Sequence, residues 1–138
     1  MKKRKNIITV AIDSPAAAGA GTQAKLISEH YNLFYLDTGK IYRYIGNLKL
    51  KYDTKFSHSL VKHKINNLQL RQLKNKSLLS NEVAVSASII AKDKKIRSIV
   101  HKFQQKCAYN PPKKYKGSVL DGRDIITVQV KDAMLKFY

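Results

Sequence analysis

The sequence contains no tryptophan, one cysteine, three prolines and nine acidic residues among 138. The single cysteine, Cys107, excludes an internal disulfide and is typical of a reducing compartment, so we expect a cytoplasmic protein. No apolar run approaches the roughly 18 residues of a membrane span, and we expect no membrane partner. The shortage of acids leaves 27 lysines and arginines in large excess, with a formal net charge of +18.

This positive charge favours anionic ligands such as nucleic acids, anionic membranes or phosphorylated small molecules. The basic residues are mostly lysines spread along the whole chain, without an RNA-binding motif or an arginine-rich arm. A solvated lysine-rich surface explains this distribution equally well. We therefore expect nucleic acid not to be a partner, and a basic nucleic-acid-binding protein stays open only as the remote alternative. The four histidines lack zinc-site spacing, so we assign no metal ligand.

The hydrophobic pattern predicts strands and helices in alternation. Continuous apolar runs indicate buried strands, and apolar residues three to four positions apart indicate helices. The predicted strands are residues 7–12, 33–36, 118–120 and 134–138, and the predicted helices are residues 22–31, 40–51 and 81–106. We expect Asn81 to cap the last helix and Asp93 to divide it in two. Residues 60–73 fit either a helix or a strand. The alternation indicates an α/β fold with a parallel sheet.

Polar residues follow three of the predicted strands. The segments are Asp13-Ser14, Asp37-Thr38-Gly39 and Asp121-Gly122-Arg123-Asp124. Each could be ordinary turn chemistry, because Asp, Gly and Ser are common in turns. In a parallel sheet, however, the carboxyl ends of the strands share one edge, and ligands bind beyond that edge. We expect the three segments to meet there.

The segment after the first predicted strand has the layout of a phosphate-binding loop, with small residues between a strand and a helix. A loop of the pattern G-x-x-x-x-G-K-[ST] holds phosphates through backbone N–H groups at a helix N-terminus. Here Ser14 stands where the pattern has its first glycine, and Ala20 stands where it has lysine, before Gly21-Thr22. By itself this loop is a weak signal.

Four segments together resemble the bacterial cytidylate kinases, the CMP/dCMP kinases among the nucleoside monophosphate kinases. They are AIDSPAAAGAGTQAK, YLDTGKIYR, the helical region with EVA…S…IR, and VLDGRDIITV. The resemblance covers most of residues 6–138. It implies a P-loop NTPase-like parallel sheet flanked by helices, here incomplete because the family's lid, last strand and closing helices have no counterpart. Residues 1–138 would form one partial kinase domain, with 53–107 as a shortened acceptor-binding insert.

The resemblance also implies an activity. Cytidylate kinases transfer the γ-phosphoryl group of ATP to CMP or dCMP, giving CDP or dCDP, and use Mg²⁺. We thus expect ATP and CMP or dCMP as partners of a monomeric protein, with a separate C-terminal fragment able to supply the missing part. Two alternatives stay open, namely an inactive truncated remnant, as a pseudogene product would be, and a non-catalytic nucleotide-binding protein.

The resemblance assigns site residues by position. The ATP phosphates would be held by Ser14, Pro15, Ala16, Ala17, Ala18, Gly19, Ala20, Gly21 and Thr22. CMP would be bound by Thr38, Arg43, Ser88, Arg97, Asp121 and Arg123. Arg123 and Asp124 would be the catalytic residues. Ala20 replaces a lysine that stabilises the developing charge, and loss of one such contact commonly costs on the order of 10²–10³ in rate.

The spacing of two of these residues requires a break in the helix. Ser88 and Arg97 are nine residues apart, so on one straight helix they would point to nearly opposite sides. A new N-cap at Asp93 would supply the break, and the assignment depends on it.

Overall fold

A computed structural model of the protein describes residues 3–13, 20–126 and 130–138. The strands in these residues are β1 (Ile8–Asp13), β2 (Phe34–Asp37), β3 (Gly117–Gly122) and β4 (Leu135–Phe137). The helices are α1 (Ala20–Tyr31), α2 (Thr38–Tyr52), α3 (His58–Asn66), α4 (Asn81–Ile90) and α5 (Lys94–Tyr109). The predicted α/β alternation is confirmed. The ambiguous residues 60–73 contain helix and no strand, because residues 60–66 lie in α3 and residues 70–73 lie in a 3₁₀ helix over Leu70–Lys74.

The four strands form one parallel sheet in the order β2-β3-β1-β4. The inner strands are the most buried, and Val10, Ala11, Val119 and Leu120 are each at most 2% exposed. Their continuous apolar sequence is the pattern of a strand covered on both faces. The structure therefore has the P-loop NTPase-like α/β architecture that the sequence predicts.

Contacts between Cα atoms divide the chain into two compact units. The sheet unit comprises residues 1–38 and 104–138, and the helical unit comprises residues 39–103. In the sheet unit, α1 lies against β1 and β3, where Ala24 packs with Val10, Ile12 and Val119 in one apolar cluster. This packing holds the start of α1 at the carboxyl end of β1.

The helical unit confirms the predicted helix break at Asp93 and corrects the predicted cap of α4. Asp93 Oδ1 accepts hydrogen bonds from the backbone N–H groups of Lys95 and Ile96, at 2.9 and 3.2 Å, so Asp93 caps α5 as predicted. The prediction that Asn81 caps α4 is wrong, because the Ser80 hydroxyl accepts the hydrogen bond from the N–H of Val83. Both residue types are good caps, and the one that precedes the first helical turn takes the position.

Candidate active site

The carboxyl ends of β1, β2 and β3 meet at one edge of the sheet, as the sequence predicts. The register places Asp37 opposite Asp121 and Asp13 opposite Gly122. The three polar segments that follow these strands therefore start side by side. This is the edge at which ligands bind in open parallel sheets.

Asp121 lies at the centre of this edge and is 6% exposed. One of its carboxylate oxygens, Oδ2, accepts a hydrogen bond of 3.0 Å from the Tyr35 hydroxyl. Its backbone carbonyl accepts a hydrogen bond of 2.8 Å from the hydroxyl of Thr38. A methyl group placed on Gly21, in the first turn of α1, would lie 3.6 Å from Asp121 Oδ2 and from the Tyr35 oxygen. The Asp121 carboxylate thus lies beside the start of α1.

The Tyr35 hydroxyl remains a proton donor to Asp121 at any ordinary pH. Burial raises the pKa of Tyr35 far above its usual value, and the negative charges of Asp121 and Asp37 raise it further. A neutral phenol can only donate to a carboxylate at this position. The Asp121 side chain is therefore held in one orientation.

Gly122 allows β3 to approach the start of α2. Its φ is +155°, and a Cβ at this position would lie 2.0 Å from Thr38 Oγ1. Any side chain would therefore push Thr38 away from Asp121. Glycine in the DGRD segment is required by this close contact and not only by its turn.

Asp13 holds the backbone that follows the DGRD segment. Its two carboxylate oxygens accept hydrogen bonds from the N–H groups of Ile125 and Ile126, at 2.6 and 3.1 Å. Between these contacts and β3, Arg123 is exposed and Asp124 has a left-handed φ of 59°, which aspartate tolerates better than most residues. Asp13 therefore fixes the end of the loop that carries both predicted catalytic residues.

Most of the predicted ATP loop lies outside the described residues. Ser14, Pro15, Ala16, Ala17, Ala18 and Gly19 belong to that part, and for Ala20 the structure describes the backbone of α1 but not the side chain. Gly21 and Thr22 lie in the first turn of α1. Their backbone is thus at a helix N-terminus, where N–H groups suit an anion.

The helical unit carries the other predicted CMP residues. The Arg43 guanidinium donates to the carbonyl of Leu78 at 2.9 Å, and that of Arg97 donates to the carbonyl of Ala91 at 3.3 Å. Ser88 is exposed near the end of α4, and its hydroxyl donates to the carbonyl of Val85. Because Ser88 lies on α4 and Arg97 on α5, the two side chains do not have to point to opposite sides of one straight helix. Their binding to CMP stays a prediction.

The side chains at the strand ends fit a metal ion that is bound partly by the protein and partly by the phosphates of a nucleotide. Among the described residues, no three His, Cys, Asp or Glu side chains are grouped as a metal cage would require. Mg²⁺ is usually bound by one or two carboxylates together with substrate phosphates and water. One oriented carboxylate beside a helix N-terminus, as at Asp121 and Gly21, matches that mode of binding.

Two side chains at this edge were not assigned a role from the sequence, namely Tyr35 and Asp13. Tyr35 precedes Asp37 by two residues, so both side chains lie on the same face of β2. That alternation is the signal that could have identified Tyr35. The sequence placed Asp13 at this edge, as part of the Asp13-Ser14 segment, but no local signal identifies its partners, which lie more than 110 residues away along the chain.

The sheet order, the helix start beside Asp121 and the clustered strand ends define a P-loop NTPase-like α/β protein. A family model described as cytidylate kinase matches residues 10–138. The chain belongs to the cytidylate kinase family.

Curated relatives support this assignment. Cytidylate kinase of Bradyrhizobium sp. (strain ORS 278) is 38% identical over 135 residues, and those of Bartonella tribocorum and Bartonella quintana are 40% and 41% identical over 134 residues. Each match covers 94% of this chain and 59% of the relative. The chain thus spans about three fifths of the length of these relatives. Within the described residues, no helix is both long and apolar enough to cross a membrane.

Proposed function

We propose that this chain supplies the nucleotide-binding sheet of a CMP kinase. In the proposed reaction, the bond between the γ-phosphorus of ATP and its bridging oxygen breaks. A phosphate oxygen of CMP or dCMP forms the new bond, which gives CDP or dCDP and leaves ADP. The observation that carries the proposal is the oriented carboxylate of Asp121 beside the first turn of α1. Membership of the cytidylate kinase family supports CMP as the acceptor.

The donor end of the site would be formed by the loop and the start of α1. We propose that residues 14–22 surround the ATP phosphates and that N–H groups at the helix N-terminus bind their oxygens. When Mg²⁺ is bound with ATP, it reduces the charge repulsion that the attacking phosphate meets. Asp121 would hold that ion, and Tyr35 keeps its carboxylate in place.

The acceptor end would be formed by polar and cationic side chains. We propose that CMP is bound by Thr38, Arg43, Ser88, Arg97, Asp121 and Arg123. Arginine suits such positions because its planar guanidinium meets two phosphate oxygens at once. Arg123 and Asp124 remain the proposed catalytic residues, and the contacts of Asp13 support the loop that carries them.

One observation favours a second function, a nucleotide-binding protein without catalysis. Ala20 stands at the position of the loop lysine, and residues 14–22 contain no lysine or arginine that could supply that cation. Binding depends mostly on backbone N–H groups and survives this change, whereas transfer loses transition-state stabilisation. An inactive remnant would lose both properties.

The proposal extends to the oligomeric state of the protein and to its location. We propose that the protein acts as a monomer. We also propose a cytoplasmic location. Cys107 is compatible with it, because burial raises the pKa of its thiol to about 12 and keeps it unreactive.

Two measurements on the whole chain test the proposed function. Titration calorimetry measures binding of Mg·ATP and of CMP, and a coupled assay measures ADP release with both present. The variants are Ala20→Lys, which restores the loop cation, and Asp121→Asn. Glu82→Gln, an exposed position of α4, is the control for loss of one negative charge.

We expect Mg·ATP binding in the wild type, and turnover that Ala20→Lys raises by roughly 10²–10³. Asp121→Asn should weaken Mg·ATP binding, while Glu82→Gln should not. Binding without turnover in both the wild type and Ala20→Lys would replace the kinase with the non-catalytic protein. Absence of binding in every form would reject both functions.

A further inference from the structure

A cluster of exposed lysines covers the amino edge of the sheet, opposite the candidate active site. It consists of Lys3, Lys5, Lys113, Lys114 and Lys116, which we call the lysine face. The first two precede β1, and the other three precede β3. Because β1 and β3 are parallel neighbours, the segments that lead into them lie side by side.

Hydrogen bonds hold these two distant segments together. The N–H of Arg4 donates to the carbonyl of Tyr109 at 2.9 Å, and the N–H of Ile8 donates to the carbonyl of Lys116 at 3.0 Å. The Arg4 guanidinium donates to three further carbonyls of the second segment, those of Pro111, Pro112 and Tyr115. The lysine face is therefore a built surface and not two independent flexible tails.

Little negative charge compensates these lysines. Within residues 3–13, 20–126 and 130–138, their only ion pair joins Lys3 Nζ to Asp132 at 4.0 Å. Of the other acids of the sheet unit, Asp13, Asp37, Asp121 and Asp124 lie at or just beyond the opposite edge, and Glu29 is exposed on α1, two residues before Tyr31. Ammonium groups on neighbouring segments repel one another when no acid compensates them, and an extended polyanion relieves that repulsion while it releases its own counterions.

Aromatic side chains accompany the lysines. The Lys114 ammonium lies 5.2 Å from the centre of the half-buried Tyr115 ring. The Asn32 amide donates to the carbonyl of Lys114 at 3.0 Å, and the preceding residue, Tyr31, is 54% exposed. Cationic grooves with accessible aromatic rings bind single strands, because the phosphates meet the cations and an unpaired base stacks on a ring. A helix that inserts into a membrane surface would instead need a contiguous apolar face, and attraction of the lysines to anionic lipid headgroups is tested separately with vesicles below.

We propose that the lysine face binds single-stranded nucleic acid, with Lys5, Lys113, Lys114 and Lys116 on its phosphates and Tyr31 against a base. From the sequence we expected no nucleic-acid partner, since the cations are spread along the chain. The fold brings two of these stretches together. The inference does not depend on the proposed kinase function, because the strand ends that form the candidate active site lie at the opposite edge of the sheet.

Fluorescence anisotropy of a labelled oligouridylate of about 12 nucleotides, a length within the usual range of such sites, tests this proposal with the whole chain. The test variant replaces Lys5, Lys113, Lys114 and Lys116 by glutamine. The matched control replaces four exposed lysines of the helical unit by glutamine, namely Lys49, Lys62, Lys74 and Lys76. Both variants lose the same net charge, so a difference between them reports position. Circular dichroism melting checks that each variant is folded.

We expect the slope of log K against log salt concentration, measured between about 50 and 200 mM, to become less negative by about 3 in the test variant. The control should keep the wild-type slope. Tyr31→Ala should weaken binding by roughly 5- to 100-fold without a change of slope. Equal losses in the test and control variants would overturn the proposal in favour of the general charge of the protein.

A second arm measures binding to vesicles of phosphatidylcholine with phosphatidylserine. Two results together would replace the nucleic acid with a membrane as the partner. The wild type would bind the vesicles more tightly than the test variant does, and it would bind the oligouridylate no more tightly than the test variant does. The proposal stands if binding to the oligouridylate depends on the lysine face and binding to the vesicles does not.

Discussion

At the residue scale, the hydrogen bond from Tyr35 to Asp121 is the contact that most affects the proposed chemistry. It joins β2 to β3 at 3.0 Å and fixes the carboxylate that lies beside Gly21. A carboxylate that rotated freely would have to be ordered each time Mg·ATP bound. The hydrogen bond from Tyr35 orders the carboxylate before Mg·ATP binds, so less conformational entropy is lost on binding. Tyr35 therefore acts as a positioning group for Asp121.

Tyr35→Phe should therefore weaken Mg·ATP binding while the fold persists. A hydrogen bond to a charged group contributes about 1.5–3 kcal/mol, so we expect a loss of about tenfold or more in affinity, measured by titration calorimetry. Tyr138→Phe makes the same chemical change at a residue that is 86% exposed and should have no effect. Unchanged affinity in Tyr35→Phe would show that Asp121 needs no such support.

At the scale of elements, Asp93 determines where α5 begins. It caps the helix through Oδ1, and its other oxygen, Oδ2, is 2.7 Å from Nε2 of His58 at the start of α3. The contact with His58 lowers the pKa of Asp93, and the backbone N–H groups of the cap lower it further. The charged form of Asp93 is therefore the one that the fold favours.

The stability of the protein should depend on Asp93 in a defined pH range. A carboxyl group whose folded pKa is depressed stabilises the fold above its unfolded pKa of about 4, and this stabilisation is lost as pH falls through the folded pKa. Asp93→Asn keeps a capping side chain but cannot ionise. Its melting temperature should lie below the wild type at about pH 7 and approach it at about pH 3.

Asp53→Asn provides the control for that experiment, since it removes a negative charge from an exposed position in the same unit. The prediction would be contradicted if the melting temperatures of wild type and Asp93→Asn differed as much at low pH as at neutral pH. That difference would then come from the geometry of the cap and not from its charge.

The elements themselves were largely predictable. Apolar runs in β1 and β3 and the spacing of apolar residues in α2 are local properties, so the sequence displays them directly. The α4 cap was predicted one residue late, at Asn81 and not Ser80. Adjacent residues of good capping type cannot be separated by sequence alone, because the choice depends on where the first turn forms.

At the scale of the whole molecule, the edge strand β4 and the net charge act in opposite directions. Leu135 and Phe137 are each 47% exposed on β4, which pairs only with β1 among the residues that the structure describes. An exposed edge strand is a template for pairing with another chain. A net charge of +18 keeps copies of the protein apart as long as salt does not screen it.

Self-association should therefore rise with ionic strength. Raising the salt from about 0.01 M to about 1 M shortens the Debye length from about 30 Å to about 3 Å. Sedimentation velocity should show a monomer at low salt and association at high salt. Leu135→Lys should suppress that association, and Leu79→Lys, at a residue 68% exposed in the helical unit, should not. Association unaffected by Leu135→Lys would exclude β4 as the contact.

The sequence by itself determined the α/β class, the positions of the strands, the Asp93 break and the order of the motifs that identify the family. These features depend on the periodicity and identity of residues close together in the chain. Only the tertiary structure decided that Tyr35 orients Asp121, that Asp13 holds the backbone after the DGRD segment, and that two lysine segments form one face. Each of these contacts joins residues about 80 or more positions apart. The pairing and register of parallel strands bring such residues together, and no local pattern records that pairing.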